Sequence, residues 1–142
     1  WRSTNGREWA RQVAKAPWAP RKFMGACFDS AGRINVVGGM SGYGAGGLND
    51  MWKSEDNGLT WQLVSLAAPW SARYSFGFVR LPSGRLYILG GQDGRLQHDV
   101  WASDDAGSTW QLMRFTHTRE TTFNTYEDRA SWSPRYGGGA VA

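Results

Sequence analysis

Short apolar blocks separated by turn residues recur along this chain, and they predict strands. The stretch from Arg21 to Gly39 aligns without a gap on that from Arg73 to Gly91, and each holds two short apolar strands. Between them lie Asp29-Ser-Ala-Gly32 and Pro82-Ser-Gly84, whose Asp, Pro and Gly supply the φ values a reversal needs. Residues 34–37 and 86–89 read as apolar runs of strands buried on both faces. The pairs Gly38-Gly39 and Gly90-Gly91 are expected to end those strands where backbones crowd together. A variable Gly-rich loop follows, residues 40–49 in the first unit and 92–98 in the second. A third strand then carries Asp50 to Trp52 or Asp99 to Trp101, and a fourth starts at Trp61 or Trp110.

The nine tryptophans mark the same period. They fall into the triplets Trp1/Trp9/Trp18, Trp52/Trp61/Trp70 and Trp101/Trp110/Trp132. From Asp50 to Trp61 and again from Asp99 to Trp110 the chain reads D-x-W-x-S-x-D-x-G-x-T-W. Trp1 to Trp9 is a decayed copy, one residue shorter, that keeps its Gly and loses the Asp. Arg21 and Arg73 open the two units 52 residues apart, whereas Arg135 follows after 62, because an insertion of 13 residues relative to Trp61–Arg73 outweighs a Gly-rich loop three residues shorter. The expected organisation is therefore the last hairpin of a preceding unit plus a linker (residues 1–20), a complete unit (21–72) and a second complete unit (73–112). An inserted loop (113–134) and the first strand of another unit (135–142) follow. Entry partway through a repeat leads to the expectation of a piece of something longer, so missing targeting signals carry no information.

Composition narrows the class. A chain of 142 residues can bury a core, and 19 Gly with abundant aromatics suit strands joined by tight turns. The net charge is +4, but the basic residues are scattered singly, which argues against a nucleic-acid or membrane-surface patch. No apolar run is long enough for a helical membrane span. A lone Cys27 excludes an internal disulfide and any multi-cysteine metal site, and it reads as a small apolar strand residue.

Two repeat families are similar to these residues. Gly38-Gly39 and Gly90-Gly91, Asp50 and Asp99 before Trp52 and Trp101, and a last-strand Trp resemble kelch repeats. Ser54, Asp56, Gly58, Thr60 and Trp61, with Ser103, Asp105, Gly107, Thr109 and Trp110, resemble the Asp-box hairpin of sialidases and many other propellers. The resemblance implies an all-β chain, a kelch-like β-propeller of four-stranded antiparallel blades, present as about 2.5–3 blades. It also implies that the Asp-boxes are scaffold. Their Asp carboxylates accept turn N–H groups, their Gly residues take positive φ, and their Trp residues anchor between sheets. Asp56 or Asp105 offers too few oxygens per turn for a Ca²⁺ site to be preferred, and neither a metal nor a cofactor is assigned. Asp-boxes are frequent in secreted proteins and cytosolic kelch adaptors are also common, so the resemblance leaves location open, with a preference for the extracellular side.

Catalytic readings find little to stand on. Arg21, Arg73 and Arg135 superficially suggest the Arg triad of sialidases, but kelch repeats often carry Arg there for packing and for hydrogen bonding between blades. No Tyr–Glu pair can be placed. Copper chemistry of the galactose-oxidase kind lacks its residue set, with only His98 and His117 and with Cys27 inside an apolar strand. Glu120, Glu127 and Asp128 fall in the insertion and read as a solvated loop. The expected function is a non-catalytic module that binds a protein or glycan, or builds an assembly, through its loop rim. Further blades of the same chain, or other copies, would complete the ring. The alternatives are a carbohydrate-active enzyme with its catalytic residues elsewhere, or an architectural segment. Lys22, Tyr43, Tyr74, Arg95, His98 and Tyr136 are the candidate rim residues. Trp18, Trp70 and Trp132 could stack on a sugar, but wedging between blades is the preferred reading.

Overall fold

The computed structural model describes residues 1–42, 46–114 and 137. Every regular element among them is a strand, paired antiparallel into two sheets. In the first sheet β3 (Ile34–Ser41) pairs with β4 (Gly47–Ser54), and β4 with β5 (Gln62–Ser65). The outer side of β3 takes both β1 (Arg21–Lys22) and β2 (Gly25–Phe28). The second sheet runs β6 (Gly77–Arg80), β7 (Leu86–Gln92), β8 (Leu96–Ser103) and β9 (Gln111–Leu112) in that order. No helix among the described residues is long and apolar enough to cross a membrane.

Two expectations about these strands need correction. The Gly pairs do not end β3 and β7. Each strand continues past its pair, and the register shifts between Val37 and Gly39 and between Leu89 and Gly91. Gly38 and Gly39 have φ of 53° and 98°, and Gly90 and Gly91 have 59° and 99°, so the pair forms a bulge that residues with a Cβ would resist. Opposite the bulge the first strand breaks as well. Phe23 and Ser75 both adopt left-handed backbone (φ 55° and 54°), which separates the Arg-bearing start from β2 and β6. The 40–49 and 92–98 loops are also shorter than expected, since β3, β4, β7 and β8 take about half of each.

Register sorts the side chains onto faces. On one face of the first sheet stand Gly25, Val37 and Met51; on the other stand Ala26, Val36, Trp52 and Leu63. In the second sheet Phe78, Ile88, Trp101 and Leu112 form one row. The core lies between the Val37–Met51 face of the first sheet and the Phe78–Ile88 row of the second, with Trp70, Phe76, Leu86 and Trp110 filling the layer. The sheets therefore stack unlike face to unlike face. Glycines permit the approach: a Cβ at Gly25 would meet the Phe78 Cβ, and one at Gly47 would meet the backbone of Ala72 and Arg73. The backbone stitches the sheets too, with Arg73 N–H donating to the Leu48 carbonyl and Gly39 N–H to the Arg73 carbonyl, both at 3.0 Å.

Candidate functional site

The unit-opening arginines are fixed by partners of their own sheet. Arg21 meets Asp50 with two N–H···O bonds of 2.6 and 2.8 Å and donates to the Gly38 carbonyl at 3.0 Å. Arg73 repeats this on Asp99 (2.5 and 2.8 Å) and on the Gly90 carbonyl (3.0 Å). The Trp52 and Trp101 indoles donate to the same carboxylates, each at 2.8 Å. Burial pushes the Asp50 and Asp99 carboxyls up, but the arginine hydrogen bonds and charge and the indoles outweigh it and hold both below the usual range. The side-chain ion pairs of these arginines lie within one unit and tie its start to its bulge and third strand, while the bonds expected between units are made by the Arg73 backbone, to Leu48 and Gly39. Their guanidinium groups are almost fully buried and committed to a carboxylate, which leaves them unsuited to grip a substrate.

Three hairpins share one hydrogen-bond pattern. Asp56 accepts from the Thr60 N–H (2.8 Å), the Thr60 hydroxyl (2.5 Å) and the Ser54 hydroxyl (2.9 Å), while the Ser54 oxygen accepts from Gly58 N–H (2.7 Å). Asp105 repeats this with Thr109, Ser103 and Gly107. In the decayed copy Asn5 takes the carboxylate's place, accepting from Glu8 N–H and the Ser3 hydroxyl while Gly6 N–H donates to Ser3. A side-chain amide oxygen can accept these bonds, which is why that copy survives without its Asp. The Thr60 hydroxyl and N–H hold the Asp56 carboxyl down to about 2, and Thr109 lowers Asp105 likewise. Gly58 and Gly107 take φ of 88° and 91°, and Asn57 and Ala106 before them are left-handed too. Among the described residues no three His, Cys, Asp or Glu side chains gather where they could hold a metal ion.

The last-strand tryptophans serve packing. Trp110 stacks edge-on against Trp70 at 6.1 Å, and Trp61 meets Trp18 in the same way at 5.5 Å. Trp70 is 1% exposed, so it is a wedge and no sugar platform. Trp132 lies outside the described residues.

Of the candidate rim residues, the structure brings Lys22 and Tyr74 together around Phe23, a residue the sequence reading had missed. The Lys22 ammonium lies 5.4 Å from the Phe23 ring centroid, and the Tyr74 ring centroid lies 6.3 Å from it. Phe23 is 58% exposed despite its left-handed backbone, and its carbonyl accepts from Ser75 N–H at 3.0 Å. The signal was available in the alignment, because Phe23 and Ser75 correspond to Gly137, whose φ is 68°. Arg95 stands exposed in the tight turn closed by its N–H on Asp93. His98 is a half-buried residue of β8 and not of a loop. It stands where Asn49 of the first unit holds the Ala68 and Trp70 carbonyls at 2.9 and 3.2 Å. Tyr43 and Tyr136 lie outside the described residues.

No protein-family profile matches the chain, and no curated protein sequence does.

Proposed function

We propose that this chain belongs to a kelch-type β-propeller with Asp-box hairpins, and that it is a non-catalytic module binding a protein or glycan partner through one loop rim. The reading is supported by the unlike-face stacking of two sheets with matching internal bonds, the arrangement from which propeller blades are built. The observation that carries the binding part is the Phe23 ring, exposed beside Lys22 and Tyr74 on a strained backbone. The fold accepts Ser or Gly at the equivalent positions, so the backbone does not require an aromatic there, and a ring held exposed on left-handed backbone beside Tyr74 and Lys22 is the feature we assign to recognition. A glycan array and an affinity capture with the purified chain, run beside a Phe23→Ala/Tyr74→Ala variant, test it. Retention by a defined glycan or protein that the double variant loses, without turnover, supports the proposal. Hydrolysis of a sialoside reporter, or capture unaffected by the double variant, sinks it.

A further inference from the structure

One polar group is buried in the contact between the two sheets without a donor to satisfy it. Asn35 is 3% exposed, and among the described residues its side-chain oxygen Oδ1 has no hydrogen-bond partner. A buried acceptor left in this way costs stability and calls for a specific explanation.

Its neighbour is a thiol. Asn35 and Cys27 stand directly opposite each other in the β2–β3 pair, two residues along from Gly25 and Val37 and so on the same face, towards the second sheet. Cys27 is half-buried against the shared core, and the Asn35 amide hydrogen-bonds its sulfur. From the second sheet Arg80 crosses to the Ser30 hydroxyl at 3.2 Å, which brings its charge to bear on the same sulfur. Burial pushes the Cys27 thiol up and Asp29 adds to this, outweighing the downward pull of the Arg80 charge and the Asn35 amide. The thiol is therefore a slow nucleophile.

Packing limits what can reach it. A Cβ added at Gly25 would lie 2.7 Å from the Phe78 Cβ, so β2 and β6 close on each other two residues from Cys27. The 142 residues hold no second cysteine with which it could pair. A small oxidant can enter where a bulky thiol is resisted.

We propose that Cys27 is a site of oxidation by hydrogen peroxide, and that Asn35 Oδ1 is the acceptor built for the hydroxyl of the resulting sulfenic acid. The Cys27 thiolate attacks one peroxide oxygen, and the S–O bond forms as the O–O bond breaks. The hydroxide released takes up the proton given by the thiol and leaves as water. Sulfur loses two electrons and peroxide gains them. The new O–H donates to Asn35 Oδ1, so the buried acceptor is satisfied in the oxidised chain, with the Arg80 charge close to the added oxygen. This site lies apart from the rim residues and is independent of the binding reading.

The test treats the parent and Asn35→Leu with hydrogen peroxide, removes it with catalase and holds the chains folded in glutathione. At intervals they are unfolded in a 1,3-diketone that captures sulfenic acid, and the Cys27 peptide is weighed. The folded parent is expected to keep its sulfenic acid about tenfold longer than the same chain oxidised in urea. Asn35→Leu is expected to shorten that lifetime by about fivefold, the factor one hydrogen bond supplies. Asn35→Asp keeps an acceptor in place and must hold the lifetime at the parent's or above, which covers a failure of Asn35→Leu to fold. Passage straight to the sulfinic acid, or equal lifetimes in the folded and unfolded parent, overturns the inference. So does an Asn35→Leu lifetime equal to the parent's, or an Asn35→Asp lifetime well below it, since burial alone would then be the shield.

Discussion

Ser75 N–H donates to the Phe23 carbonyl at 3.0 Å, joining equivalent left-handed residues of successive units, and Gly137 N–H donates to Ser75 in turn at 2.8 Å. The left-handed backbone at this position is a property of the repeat. Its side chain is free to vary, and only in the first unit is it a large aromatic.

Phe23→Asn is expected to leave stability unchanged or raise it by up to about 1 kcal/mol, because relief of left-handed strain is offset by loss of an exposed cation–π contact with Lys22. Urea unfolding of the variant measures this. A loss above about 2 kcal/mol would show that the ring supports the fold and would remove the ground for a binding role.

The hairpin turns make a transferable case. Ala106 holds φ 56° where the first hairpin has Asn57 at 58°. Ala106→Asn should stabilise the chain by about 0.5–1 kcal/mol, since Asn tolerates the left-handed region better than Ala. The same unfolding experiment checks it, and destabilisation would contradict the turn geometry.

The Arg73–Asp99 pair should be far less tolerant. Asp99→Asn leaves a buried guanidinium without its counter-charge, and a loss of about 3–5 kcal/mol is expected. A loss under about 1 kcal/mol would mean that the guanidinium is solvated and the strand tie dispensable.

Acid should undo the hairpins in a defined window. The folded carboxyl of Asp56 sits at about 2, below the ordinary aspartate value of about 3.9 in the unfolded chain. Its contribution is fully present above the unfolded value and is lost as pH falls through the folded one, between about pH 4 and pH 2. Asp105 is lowered in the same direction. The melting temperature should therefore drop across that window, and less steeply in Asp56→Asn/Asp105→Asn, whose amides accept as Asn5 does. Equal slopes in the two proteins would contradict the assignment.

Much of the fold was legible because strands and turns are local. The gap-free alignment of Arg21–Gly39 on Arg73–Gly91, with the Trp-to-Trp motif, located the strands and hairpins that the structure pairs. What escaped depends on contacts between segments. Nothing local reveals that Gly38-Gly39 bulges while β3 runs on, since the register shift exists only in its pairing with β4. Nor does sequence show that Arg21 and Asp50, 29 residues apart, close on each other. His98 looked like a rim residue because the strand end could not be told from the loop. Phe23 looked like any apolar strand residue until its φ was known.

The stacking of the second hairpin on the first sheet is most directly tested by a double-mutant cycle between Met51 and Gly107. Gly107→Ala combines left-handed strain with overpacking against a fully buried Met51 and should cost about 2–4 kcal/mol, whereas Gly58→Ala carries the strain alone and should cost about 1–2. In a Met51→Ala background the Gly107→Ala penalty should fall towards that of Gly58→Ala, giving a coupling of about 1 kcal/mol or more. Additive penalties, or equal penalties at the two glycines, would contradict the stacking on which the account stands.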